Sequence, residues 1–164
     1  MTKILVGSRA FFSGIEGFKS KDTDFLVLVD NPTDFQWRRE QSLRGVCTFY
    51  YKKETPTQMI QRTLEADDPL LIGKFLVPEV AKAIGATVDD ILPLEPLLDK
   101  LDDKHKYEAL IFNAYKANGK FSLTAKQCKQ AFNAYQQARK ENEPKRERRQ
   151  PILAGHKTAS ANLG

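Results

Sequence analysis

The chain is poor in the residues that most often announce a site. Its two cysteines, Cys47 and Cys128, lie far apart with no CxxC spacing. That argues against a disulfide framework or a thiolate zinc centre and predicts two reduced, structural thiols. Its two histidines, His105 and His156, have no partner at metal-ligand spacing. No Ser-His-Asp or Cys-His arrangement points to a hydrolase. No apolar run approaches the ~18 residues of a membrane span. Only Ile4-Leu5-Val6 precede Gly7, too short a stretch for a secretory signal, so a cytoplasmic protein is expected. There is no internal repeat.

What is present is enough for a core. Of 164 residues, 41% are apolar and ten are Phe, which suits one domain or one small domain with an extension. The formal charge of +5 permits a nucleic-acid or phosphate-bearing partner without requiring one.

Taken in order, Ile4 to Val6 reads as a buried strand and Arg9 to Ile15 as a short helix. Phe25-Leu26-Val27-Leu28-Val29, bounded by Asp24 and by Asp30-Asn31-Pro32, fits a central strand covered on both faces. Pro32 to Gly45 is polar and basic and reads as a connection, with Trp37, Arg38, Arg39 and Arg44. Val46 to Lys52 is rich in β-branched and aromatic residues and predicts a third strand. Thr55-Pro56 caps a helix over Thr57 to Glu65. From Leu70 the pattern is helical. Pro78 opens a helix that Gly85 stops, and Val88 to Leu101, interrupted by Pro93 and Pro96, reads as two short pieces. His105 to Ala117 and Thr124 to Lys140 read as an antiparallel helical hairpin. From Glu141 apolar residues thin out and Lys145, Arg146, Arg148 and Arg149 cluster, which predicts a flexible basic tail able to meet RNA or DNA.

The chemistry lies in Ile4 to Asp30. Side chains at i and i+2 share one face of a strand, so Asp22 and Asp24 are expected to converge at the entry to the second strand. Two hard oxygen donors side by side favour Mg²⁺ or Mn²⁺ with retained waters and substrate phosphates. Gly7-Ser8, ending the neighbouring strand, offers close backbone approach and a hydroxyl donor to a phosphate, and Arg9 adds positive charge.

Gly7-Ser8-Arg9-Ala10, a spacer, then Lys21-Asp22-Thr23-Asp24 before an apolar strand resembles the signature of the DNA polymerase β-like nucleotidyltransferase superfamily, closest to its minimal members. The resemblance spans about thirty residues. It implies nucleotide phosphates on Gly7 and Ser8, Mg²⁺ on Asp22 and Asp24, and transfer of a nucleoside monophosphate from an NTP to a hydroxyl. The spacer is longer than in compact members. The family also draws a third carboxylate from a later strand, and Val46 to Lys52 holds none; Glu54 lies just past its end.

The sequence therefore predicts an α/β (α+β) fold. Residues 1–69 would form a nucleotidyltransferase-like sheet core, 70–141 a helical part and 142–164 a tail. The function expected is nucleotidyl transfer to an RNA, DNA, protein or small-molecule acceptor. The alternatives are an inactive relative that binds nucleotide, nucleic acid or protein, and a helical module that docks a protein.

Overall fold

The computed structural model describes residues 2–30 and 38–154, with side chains for 2–30 and 42–140. It is a mixed α/β structure. Four strands, β1 (Thr2–Val6), β2 (Thr23–Val29), β3 (Arg38–Leu43) and β4 (Val46–Lys52), form one sheet in the order β1-β2-β4-β3. β1 runs antiparallel to β2, β2 parallel to β4, and β3 antiparallel to β4.

β3 corrects the sequence reading, which treats Pro32 to Gly45 as a connection. Its residues, Arg-Arg-Glu-Gln-Ser-Leu, carry no apolar alternation. Backbone pairing to β4 makes it a strand, and its place at the sheet edge tolerates a charged sequence. A two-residue turn joins the pair. Arg44 and Gly45 both have positive φ, 52° and 76°, as the tightest hairpin connection requires.

The register fixes which side chains share a face. Ile4 pairs with Leu26 and Leu26 with Phe49; Leu28 pairs with Tyr51. These side chains, with Val6, form the buried inner face. Each stabilises the fold by roughly 1.5–3 kcal/mol through burial. Asp24 lies on the same face one pleat beyond Leu26, opposite Val6, where β1 is about to end.

Helices cover that face. α1 (Ser8–Phe12) follows β1 directly and ends before Ile15, the end expected from sequence. α2 (Pro56–Ala66) starts with Thr55 and Gln58 capping each other, and Pro56 takes the first helical position. Short helices α3 (Ile72–Phe75), α4 (Pro78–Ile84) and α5 (Val88–Ile91) follow, and a 3₁₀ stretch, Leu92–Lys100, accommodates Pro93 and Pro96. α6 (Lys106–Asn118) and α7 (Ala125–Ala154) form the expected hairpin. Thr124 Oγ1 accepts from the Gln127 amide at 3.1 Å and starts α7. This helix runs to Ala154, past Lys140, where the sequence reading stops it. The side chains of the Lys145–Arg149 cluster, Trp37 and His156 lie outside the described residues.

One apolar core joins the sheet to the hairpin. Phe12, fully buried, has its ring centroid 5.4 Å from Tyr107, 5.4 Å from Phe132 and 5.3 Å from Tyr135. Through this ring α1 holds α6 and α7 against the end of the sheet that carries Asp24. Among the described residues no helix is long and apolar enough to cross a membrane.

Candidate functional site

β1 ends at Gly7, whose φ of 75° is left-handed and whose carbonyl accepts from the Ala10 amide at 3.0 Å. The chain therefore turns sharply into α1 with Ser8 first. On the next strand, the segment leading to Asp22 and Asp24 is fixed from several sides. Arg9 donates from Nε to the Asp22 carbonyl at 3.0 Å and from its terminal nitrogen to the Ser20 carbonyl at 2.8 Å. The Ser20 hydroxyl donates to the Asp22 carbonyl at 3.0 Å, and the Thr23 amide donates to the Gly45 carbonyl at 2.8 Å. From α7, the Tyr135 hydroxyl reaches the Lys19 carbonyl at 3.2 Å, and Arg139 donates to the same carbonyl.

Between the sheet end and the helices lies a cavity of about 370 Å³. Gly7, Ser8, Asp22 and Asp24 all line it, so these four sequence-predicted residues are brought together. Arg9 is not among the lining residues; its guanidinium is spent on the two loop carbonyls. Tyr51 is buried in the core and Tyr50 is half-buried, and neither faces the cavity. Glu54, the acid nearest to the end of β4, is paired with Arg62 at 2.6 Å and lies outside the cavity.

The helical part supplies residues that sequence reasoning does not single out. Lys74, Lys104, His105, Tyr107, Glu108, Tyr135 and Arg139 complete the wall. With Lys21, four Lys or Arg side chains face three acids there. Positive groups around a pair of carboxylates suit an anion that arrives with a cation. His105 reads as incidental in the sequence, yet it lines the cavity and its Nδ1 lies 2.6 Å from Asp102 Oδ1. Asp102 is held below the usual carboxylate range: partial burial pushes it up, but the bond and charge of His105 outweigh that.

Glu108 is the exceptional group. It is 4% exposed, and burial pushes its pKa up to about 8 against the pull of the Lys74 ammonium. Tyr107 beside it is raised well above the ordinary phenol value, chiefly by burial and then by the charge of Glu108. A signal for Glu108 exists in the sequence. It stands at helical spacing from Ile111, Phe112 and Tyr115, an acid on an otherwise apolar stripe.

On β4, the residue that shares the inner face and the cavity with Asp24 is Phe49, with the Lys74 Nζ 3.9 Å above its ring. No acid occupies that strand. Among the described residues no group of three His, Cys, Asp or Glu side chains is placed to hold a metal. The two aspartates still fit Mg²⁺, which commonly takes one or two carboxylates and completes its shell with water and substrate phosphate. Compared with protein-family models, with curated proteins and with solved structures, the chain finds no match.

Proposed function

We propose that this cavity binds an NTP with Mg²⁺ and transfers its nucleoside monophosphate to a hydroxyl acceptor. The observation that carries this reading is the meeting of Gly7-Ser8 with Asp22 and Asp24 in one cavity whose rim bears Lys21, Lys74, Lys104 and Arg139. The Gly7-Ser8 turn offers backbone and a hydroxyl to the phosphates, and the lysines and arginine offset their charge. Asp22 and Asp24 would hold the cation, which when bound neutralises charge on the transferring phosphoryl group. The acceptor would be an RNA, a DNA, a protein or a small molecule that carries a hydroxyl.

The experiment is label transfer from each of the four α-labelled NTPs with Mg²⁺ or Mn²⁺, set against Asp22→Ala/Asp24→Ala. Transfer that the double variant abolishes is the expected result. If nucleotide and metal leave the melting temperature unchanged, the reading falls, and a helical protein-docking module takes its place.

A second reading has its own support. Phe49 stands where β4 faces the cavity, and a phenyl ring ligates no metal. A relative that binds nucleotide, nucleic acid or protein without turnover would need no third strand acid. Nucleotide binding lost in the double aspartate variant, with no transfer to any acceptor, would identify it.

A further inference from the structure

We propose that Glu108 is the residue of this cavity that binds the acceptor hydroxyl and takes its proton. The proposal rests on the nucleotidyl-transfer reading above and names the group that activates the nucleophile. Glu108 comes from α6, on the helical side, and faces the cavity that holds Asp22 and Asp24.

Four observations support it. Glu108 is 4% exposed, yet it lines the cavity rather than a sealed core. Its Oε1 is buried without a hydrogen-bond partner. A buried carboxyl oxygen left unmatched is costly, and such an orphan at a cavity wall is what a hydroxyl donor from a bound molecule would satisfy. Position 73 is cut to fit the same carboxyl: a β-carbon at Gly73 would stand 2.6 Å from Glu108 Oε2. Lastly, β4 presents Phe49 to the cavity, so no acid from that strand competes for the role.

The groups facing Glu108 set its proton affinity. Burial raises it; Lys74 of α3 and a hydrogen bond from Tyr107 lower it; Asp102 before α6 raises it; and Tyr107 is in turn near Tyr135 and Asp24. The result, about 8, makes it a stronger base than a solvated carboxylate, placed near the pH at which a base works best. In the step itself, the O–H proton of the acceptor passes to Glu108 Oε1. The electron pair freed on the acceptor oxygen forms the bond to the α-phosphorus. The bond from that phosphorus to the bridging oxygen breaks, and its pair leaves with pyrophosphate. Glu108 then returns its proton to water.

The test uses the full chain, α-labelled NTP with Mg²⁺, and glycerol and pooled RNA as hydroxyl acceptors. Calorimetry reads NTP binding and label transfer reads turnover, across pH 6 to 9.5. Glu108→Gln is expected to bind NTP within about threefold of the unmodified chain. It should transfer label roughly 10²–10⁴-fold more slowly and lose the rise in rate towards pH 8. Glu108→Asp, a shorter acid, should recover part of the rate. Gly73→Ala, which displaces the carboxyl without removing it, should lower turnover more than binding. Transfer by Glu108→Gln within threefold of the unmodified chain, with the same pH profile, overturns the proposal. So does aspartate-dependent NTP binding with no transfer by the unmodified chain. Label transfer that Asp22→Ala/Asp24→Ala leaves intact is a different failure: it removes the nucleotidyl-transfer reading itself, and the role of Glu108 with it.

Discussion

Gly7 and Asp24 are fitted to each other: a β-carbon built on Gly7 would stand 2.5 Å from Asp24 Oδ2. The register places Asp24 opposite Val6, so the turn that follows β1 closes directly over the carboxylate. The φ of 75° at Gly7 independently disfavours any other residue. Gly7→Ala is therefore expected to cost about 1–3 kcal/mol of stability through backbone strain. It should also push the Asp24 carboxylate from its place and weaken Mg–NTP binding. Urea unfolding reads the first effect and calorimetry the second. Asp24→Ala in the Gly7→Ala background should restore part of the stability, because the clash is then gone.

Arg9 acts on the other aspartate through the backbone. Its two hydrogen bonds, to the carbonyls of Ser20 and Asp22, span the segment that presents Asp22. Bonds from a charged donor contribute most when shielded, and these are only partly so. Arg9→Ala should cost about 1–2 kcal/mol in urea unfolding. Arg9→Lys should not rescue it, since a single ammonium lacks the fork that reaches both carbonyls. If Arg9 instead contacts phosphate, Arg9→Ala will weaken Mg–NTP binding with no change in stability.

Glu108 should leave a signature in the pH dependence of folding. Its pKa rises from an ordinary 4.5 in the unfolded chain to about 8 in the folded one, through burial opposed by Lys74. Between those values the unfolded chain has lost the proton and the folded chain keeps it. Stability contributed by the neutral acid is thus intact below about pH 4.5, falls as pH rises, and levels off above about 8. Glu108→Gln carries no such proton. Relative to the unmodified chain it should gain stability progressively as pH rises from 4.5 to 8. Lys74→Met should extend the fall to higher pH. Denaturant midpoints at a series of pH values check both; parallel curves for Glu108→Gln and the unmodified chain would contradict the prediction.

Local sequence carried the parts of this architecture whose physics is local. The unbroken run Phe25 to Val29 made β2 visible, and Thr55-Pro56 made the start of α2 visible, because a buried strand and a helix cap are written in adjacent residues. β3 was not legible, because pairing to β4, and not its own side-chain pattern, makes it a strand. The same divide runs through the cavity. Gly7, Ser8, Asp22 and Asp24 meet across one antiparallel pair, β1 with β2, and their order in the sequence anticipates this. Lys74, Glu108 and Arg139 arrive from helices brought in by the packing of Phe12 on Tyr107, Phe132 and Tyr135. No spacing rule links such distant positions. Only Glu108, an acid on an apolar helical stripe, carried a local warning.

The two aspartates make a last prediction that needs no nucleotide. Both line one cavity, and two carboxylates sharing a site offer hard oxygen donors to a divalent cation. Mn²⁺ should therefore stabilise the folded chain by mass action. At ten times its dissociation constant the gain is about 1.4 kcal/mol, or roughly 3–5 °C in Tm for a chain of this size. Chelation by EDTA should return Tm to its starting value. Asp22→Asn/Asp24→Asn should remove the Mn²⁺ increment. Glu108→Gln should retain that increment, since Glu108 is assigned to the hydroxyl and not to the cation. An Mn²⁺ increment that survives in the double asparagine variant would place the ion elsewhere and break the link between these aspartates and phosphate binding.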